Sequence, residues 1–223
     1  MSVKRVIFIR PGETAWNRYK RWQGHCEIPL NDNGRKQAAR LGQFVRNTGV
    51  TKLYSSDLSR AAETAQILAE HLGIEPILDA RLRERDIGHW QGLTMAEIQE
   101  WYPGEYAKLL ADPDGHQIIG NGESRSEVEA RVLSSFDDAI KDDGDEVIGI
   151  VSHSTALRVL LRRLVPDSNP YGRSFSNMSV TTLMRNGDGD WRIVQLDDVS
   201  HLEGIETLSV PEVEQNQNET IPD

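Results

Sequence analysis

Short runs of β-forming residues alternate with longer stretches of helical spacing along most of the chain. That alternation predicts an α/β domain, a three-layer sandwich in which a mostly parallel central sheet is wrapped by helices. Val3 to Ile9 reads as the first strand and Lys52 to Ser55 as the second, while Val147 to Val151 is nearly continuous in apolar residues, as a central strand covered on both faces requires. Asn31-Asp32-Asn33 supplies a cap for a helix whose apolar face uses Ala38, Leu41, Phe44 and Val45, with Gly49 as its stop. A second helix spans Ser59 to Leu72 and is closed by Gly73. Thr94 to Glu97 and Ser124 to Glu127 each fit the capping box, in which a hydroxyl and a carboxylate satisfy unpaired amides at a helix start. Thr155 to Val165 returns to helical spacing, and Ser179 to Met184 with Trp191 to Gln195 reads as a terminal hairpin around Asn186-Gly187-Asp188-Gly189-Asp190.

Two stretches interrupt the alternation. Residues 90–123, with Trp101, Tyr102, Pro103 and Pro113, read as an inserted lid region of short helices and loops within a main domain spanning 1–203. Residues 204–223 are polar and acidic, the composition of a disordered tail. The 223 residues suit one such domain. Lys and Arg number 25 against 35 Asp and Glu, so the net charge of −10 repels polyanions, and nucleic acid is not expected as a partner. The sequence has no apolar run long enough for a membrane, and no secretory signal opens it. Cys26 is the only cysteine, which excludes an internal disulfide and fits a cytoplasmic location. A homodimer is left open.

The reactive side chains fall at strand ends. Arg10 follows the first strand, Ser55-Ser56-Asp57-Leu58-Ser59-Arg60 the second, and Ser152-His153-Ser154 the strand ending at Val151. In an open α/β sheet the carboxyl edge is where ligands bind, because helix N-termini there present unpaired amides to anions. Two arginines and a histidine converging there would make a phosphate cradle, since guanidinium forks match phosphate oxygens in pairs. On spacing alone, three unrelated surface loops remain an equal alternative.

Ordered blocks separate the two readings. Arg10-Pro11-Gly12-Glu13-Thr14-Ala15-Trp16-Asn17 resembles the opening motif of the histidine phosphatase superfamily, the phosphoglycerate-mutase-like proteins, in everything except Pro11. Trp22-Gln23-Gly24, Pro29-Leu30-Asn31, Tyr54 to Thr64, Leu82-Arg83-Glu84, Gly88-His89-Trp90-Gln91-Gly92, Gly122-Glu123-Ser124 and Val151-Ser152-His153 follow in the family's order. The resemblance implies that Arg10, Arg60 and His153 surround a phosphoryl group with Asn17 as a further contact, and that Gln23, Gly24 and His25 meet substrate. Glu84 matches the proton donor to the leaving oxygen. The alternatives are that Glu84 pairs with Arg81, Arg83 or Arg85, and that His153 caps the following helix. No metal or other cofactor is implied, and the expected ligand is a small phosphorylated molecule or inorganic phosphate.

Pro11 stands where the family carries its nucleophilic histidine, and proline has nothing with which to accept a phosphoryl group. The leading expectation is therefore a phosphomonoester-binding protein of this fold, phosphatase-like rather than mutase-like because the inserted region is short, with phosphohistidine chemistry weakened or lost. An active phosphohydrolase using a substitute nucleophile or activated water, a phosphatase with a sporadic substitution, and a protein-binding scaffold with a vestigial pocket are the alternatives. His25 is the nearest substitute nucleophile by position, whereas His71 complements a helix end and His116 and His201 read as exposed. Arg18, Lys20 and Arg21 form a basic island beside the first motif, and Trp16, Trp22, Trp90, Trp101 and Tyr102 are shared between pocket-lining and packing readings.

Overall fold

Strands β1 (Arg5–Ile9), β2 (Lys52–Ser55), β3 (Pro76–Leu78), β4 (Val147–Val151), β5 (Val180–Arg185) and β6 (Trp191–Asp198) form one sheet in the order β3-β2-β4-β1-β5-β6. The computed structural model describes residues 3–112, 117–141, 146–166 and 175–208. The first four strands of that order run parallel, and the β5–β6 hairpin is added antiparallel to β1. The helices are α1 (Ala15–Arg18), α2 (Asp32–Val45), α3 (Ser59–Leu72), α4 (Met95–Trp101), α5 (Pro103–Leu110), α6 (Arg125–Ile140) and α7 (Ser154–Leu164).

Alternation along the strands divides the core. Val6 and Phe8 of β1, Ile148 and Ile150 of β4 and Leu183 of β5 meet α6 and α7 on one face through Val132, Phe136, Leu157 and Leu160. Ile7, Ile9, Leu53, Val151 and Val180 meet α2 and α3 on the other through Ala38, Leu41, Ala65 and Leu68. This is the three-layer sandwich that the apolar run at Val147–Val151 requires. Within that run Gly149 leaves room for Leu53, whose Cδ1 would lie 2.7 Å from an added Cβ. A smaller cluster of Ile87, Trp90, Ile98 and Ile119 organises the inserted region, with Trp22 and Tyr102 packed on it. Trp90 is thus a core residue, while Trp101 is exposed. Among the described residues no helix is long and apolar enough to cross a membrane.

Local signals place most helix ends. Asn31 accepts from the Gly34 amide, Gly73 closes α3 with φ 71°, and both capping boxes form at Thr94 and Ser124. Some expectations need correction. Phe44 is 43% exposed, so it lies off the apolar face, and α2 ends at Val45 rather than at Gly49, which takes φ 80° in the turn beyond. His201 is not exposed; its ring packs 5.8 Å from that of Phe44. His116 and Pro113 lie outside the described residues. At the start of the segment read as a tail, the Glu206 carbonyl accepts from Asn33 and Gln37 at 3.0 and 3.1 Å, and its carboxylate pairs with Arg18. Residues 209–223 lie outside the description.

The loop after β1 interlocks with the first turn of α2. A Cβ on Gly34 would stand 2.1 Å from the Glu13 carbonyl oxygen and 2.8 Å from its nitrogen, both backbone atoms that cannot swing aside. Gly34→Ala is therefore expected to destabilise the protein by roughly 1–3 kcal/mol, outweighing the gain of about 1 kcal/mol that alanine brings to a helix. A thermal melt reads this as a loss of several degrees, and an unchanged or raised midpoint would show that loop and helix are not locked together.

Candidate active site

Three parallel strands end in one row. Ile9 of β1 and Ser55 of β2 both register with Val151 of β4, so Arg10, Ser56 and Ser152 leave the sheet side by side. The Ser152 amide donates to Ile9 O at 3.0 Å and the Ser56 amide to Val151 O at 3.0 Å, which carries the parallel pairing one residue past the strands. Neighbouring strands lie about 4.8 Å apart, so the side chains that follow share one small space. The convergence that spacing left undecided is present.

Arg10, Arg60 and His153 lie within one another's electrostatic influence. The Arg10 guanidinium donates to the Phe175 carbonyl, and burial lowers its pKa to about 10 against the pull of Glu84 and Asp197. Arg60, 4% exposed on the first turn of α3, donates to Gly24 O at 2.9 Å and Cys26 O at 3.1 Å and is likewise lowered by burial. His153 opens α7 but makes no side-chain capping bond, which removes the capping alternative. Burial, reinforced by Arg60 and Arg10, holds its pKa well below the usual histidine value, so the ring is neutral. Its Nε2 lies 2.8 Å from Ser56 Oγ.

The Glu84 carboxylate is held by backbone rather than by cations. Oε1 accepts from the Arg85 amide at 2.7 Å and Oε2 from the Thr155 amide at 3.2 Å, in the first turn of α7. The three arginines of the alternative pairing direct their guanidinium groups elsewhere. Arg81 pairs with Asp79 and Asp138, Arg83 clasps Asp57 through two 2.6 Å contacts, and Arg85 donates to the carbonyls of Glu123 and Gln117. The carboxylate is left near Arg10, Arg60 and Arg158, whose charges it supports. Behind it, Arg131 gathers the carbonyls of Arg81, Arg83 and Glu84 while bridging the Glu123 carboxylate, and so fixes the loop.

The remaining sequence candidates lie at Pro11 and in the loops beyond it. Pro11 is buried, and its carbonyl accepts from the Met178 amide at 3.3 Å and Asn177 Nδ2 at 3.2 Å. Asn17 completes a capping box with Thr14, and Asn177 Nδ2 also approaches Asn17 Oδ1 at 3.4 Å. Gln23 accepts from the Thr14 hydroxyl at 3.2 Å, and Gly24 takes φ 49° so that its carbonyl reaches Arg60. His25 donates through Nε2 to the Glu84 carbonyl at 2.7 Å, which anchors its ring on the Glu84 loop. The basic island is partly neutralised, since Arg18 pairs with Glu13 and Glu206 and Arg21 with Glu97. Ser56, Thr155, Arg158 and Asn177 escaped the sequence reading. Only Ser56 carried a signal, its place directly after the second strand.

The site can therefore hold an oxyanion. Arg10, Arg60 and Arg158 are desolvated around the shared Glu84 carboxylate, with Asp197 acting on Arg10 and Glu27 on Arg60, and each loses proton affinity through burial, so an incoming anion would be favoured there in a chain of net charge −10. A profile of the histidine phosphatase superfamily, branch 1, matches residues 6–199. Phosphoglycerate mutase-like protein 4 of Arabidopsis thaliana is 36% identical over 89% of this chain and 86% of its own. A mycobacterial glucosyl-3-phosphoglycerate phosphatase solved with VO3 superposes with a TM-score of 0.78 at 31% identity, covering 87% of this chain and 99% of that one. A histidine-to-alanine mutant of phosphoserine phosphatase from Entamoeba histolytica, solved with phosphoserine, gives a TM-score of 0.78 at 28% identity over 89% and 98% of the two chains.

Proposed function

The chain belongs to branch 1 of the histidine phosphatase superfamily, and on that premise we propose that it binds phosphomonoesters and inorganic phosphate without the family's phosphohistidine chemistry. The observation that carries this reading is the excess of buried guanidinium charge where Arg10, Arg60 and His153 meet. Arg10 and Arg60 are the donors to the phosphoryl oxygens, neutral His153 adds a hydrogen bond, and Asn17 borders the same loop. Glu84 faces the leaving oxygen. Gly24 supplies its carbonyl to Arg60, Gln23 supports the loop through Thr14, and both flank the entrance with His25. The ligand is of the phosphatase rather than the mutase type, and the single cysteine fits action in a reducing cytoplasm.

Substitute nucleophiles have little support. A substitute must lie in line with the leaving group, whereas His25 is anchored to the Glu84 carbonyl and Ser56 is fully buried with its hydroxyl against His153 Nε2. A vestigial pocket would have no use for the desolvated charge of Arg10, Arg60 and Arg158. A structural neighbour, a phosphoserine phosphatase solved with phosphoserine as a histidine-to-alanine mutant, lends support, since that protein holds its ligand with one histidine replaced. Calorimetry with vanadate or phosphate at low salt is expected to give one site per chain, weakened as salt rises. Absence of binding at millimolar ligand would end the proposal.

A further inference from the structure

Ser56 is the direct partner of the site histidine. Its side chain is fully buried between β2 and α3. Two groups approach Oγ, namely the Leu58 amide at 3.3 Å and His153 Nε2 at 2.8 Å. The Leu58 amide is a donor, so toward it the hydroxyl oxygen can only accept. The hydroxyl proton then needs an acceptor of its own, because a buried donor left unpaired is costly. Among the described residues His153 Nε2 is the one acceptor within reach.

A neutral imidazole carries one proton, and which nitrogen holds it is set by the bond the other makes. Nε2 can accept from Ser56 only if it is bare, and the proton then resides on Nδ1. We propose that Ser56 is a positioning residue that fixes His153 as the Nδ1–H tautomer, making Nδ1 the nitrogen that donates to a bound phosphoryl oxygen. The inference rests on the oxyanion site proposed above. It adds a division of labour in which the two arginines neutralise the ligand and the hydroxyl behind the ring determines that the third partner is a donor. With the tautomers reversed, Nδ1 would present a lone pair to the anion and repel it.

The test reads the ring directly. Protonated and bare imidazole nitrogens resonate far apart in 15N spectra, and the signals of His153 are identified by their loss in His153→Gln. The unliganded wild-type protein is expected to show Nδ1–H. Ser56→Ala is expected to move the ring toward Nε2–H and to weaken inorganic phosphate binding about tenfold, the cost of one misdirected hydrogen bond. Ser56→Thr, which keeps the hydroxyl, should restore both the tautomer and the affinity. A wild-type ring protonated at Nε2 would overturn the inference without reference to any variant, which keeps it testable should Ser56→Ala fail to fold. An alanine variant with unaltered tautomer and affinity would overturn it as well. If the wild-type protein shows the Nδ1–H ring but binds no phosphate, the oxyanion site fails while the hydrogen-bond assignment stands.

Discussion

Pro11→His is expected to raise phosphate release from phosphomonoesters by several orders of magnitude, since removing the nucleophile of a covalent catalyst costs on the order of a millionfold in turnover. The rest of the proposed machinery lies at the same sheet edge as position 11. Arg10, Arg60 and His153 converge, and the Glu84 carboxylate is oriented by the amides of Arg85 and Thr155. In the variant, the introduced imidazole attacks phosphorus, the bond to the leaving oxygen breaks, and that oxygen takes up a proton relayed from solvent by way of Glu84. Water then cleaves the phosphorus–nitrogen bond and releases phosphate. The backbone should accept the change, because the position 11 carbonyl keeps its bonds from Met178 and Asn177 and the Gly12 amide keeps Thr64. A panel of phosphomonoesters gives the rate, and a trapped adduct labile in acid and stable in base identifies the phosphohistidine. If the unmodified protein already turns over its substrates rapidly and the variant adds nothing, the loss of covalent chemistry is refuted.

Where the sequence speaks locally it was legible. Lys52–Ser55 and Ser59–Leu72 coincide with their expected bounds because a strand ending in polar residues meets a helix closed by Gly73 in the left-handed region. The capping boxes at Thr94 and Ser124 involve residues three apart and need no tertiary context. Phe44 failed for the opposite reason, since helical spacing gives a face and not its edges, and the residue falls beyond the stripe that meets α3. The three-residue strand β3 carries too little periodicity to announce itself. Within the site, Arg10, Arg60 and His153 could be read because each follows a strand and lies in an ordered block that resembles the family's. Thr155 acts through a backbone amide and Asn177 through contact with a loop more than 160 positions earlier, and neither leaves a trace in composition or spacing. Ser56 was visible as part of a block, but its role depends on a partner 97 residues away.

Arg60→Ala is expected to weaken phosphate or vanadate binding on the order of a hundredfold or more, because a charge-assisted hydrogen bond contributes about 1.5–3 kcal/mol and a guanidinium fork offers two. The same side chain ties down the 24–26 loop through the carbonyls of Gly24 and Cys26, so its removal also loosens the entrance. Arg60→Lys should fall between wild type and alanine, since an ammonium keeps the charge but loses the fork. Lys20, exposed on the nearby island, provides the contrast, and Lys20→Ala should change affinity by only a few tenths of a kcal/mol. A second readout separates loss of a local cation from general damage. Burial is the main cause of the low pKa of His153 and Arg60 the next, so Arg60→Ala should move the titration of that ring upward toward the ordinary histidine value. A variant that melts normally, binds phosphate as tightly as wild type and leaves the His153 titration unmoved would show that Arg60 only braces the loop, and the phosphate cradle would have to be sought elsewhere.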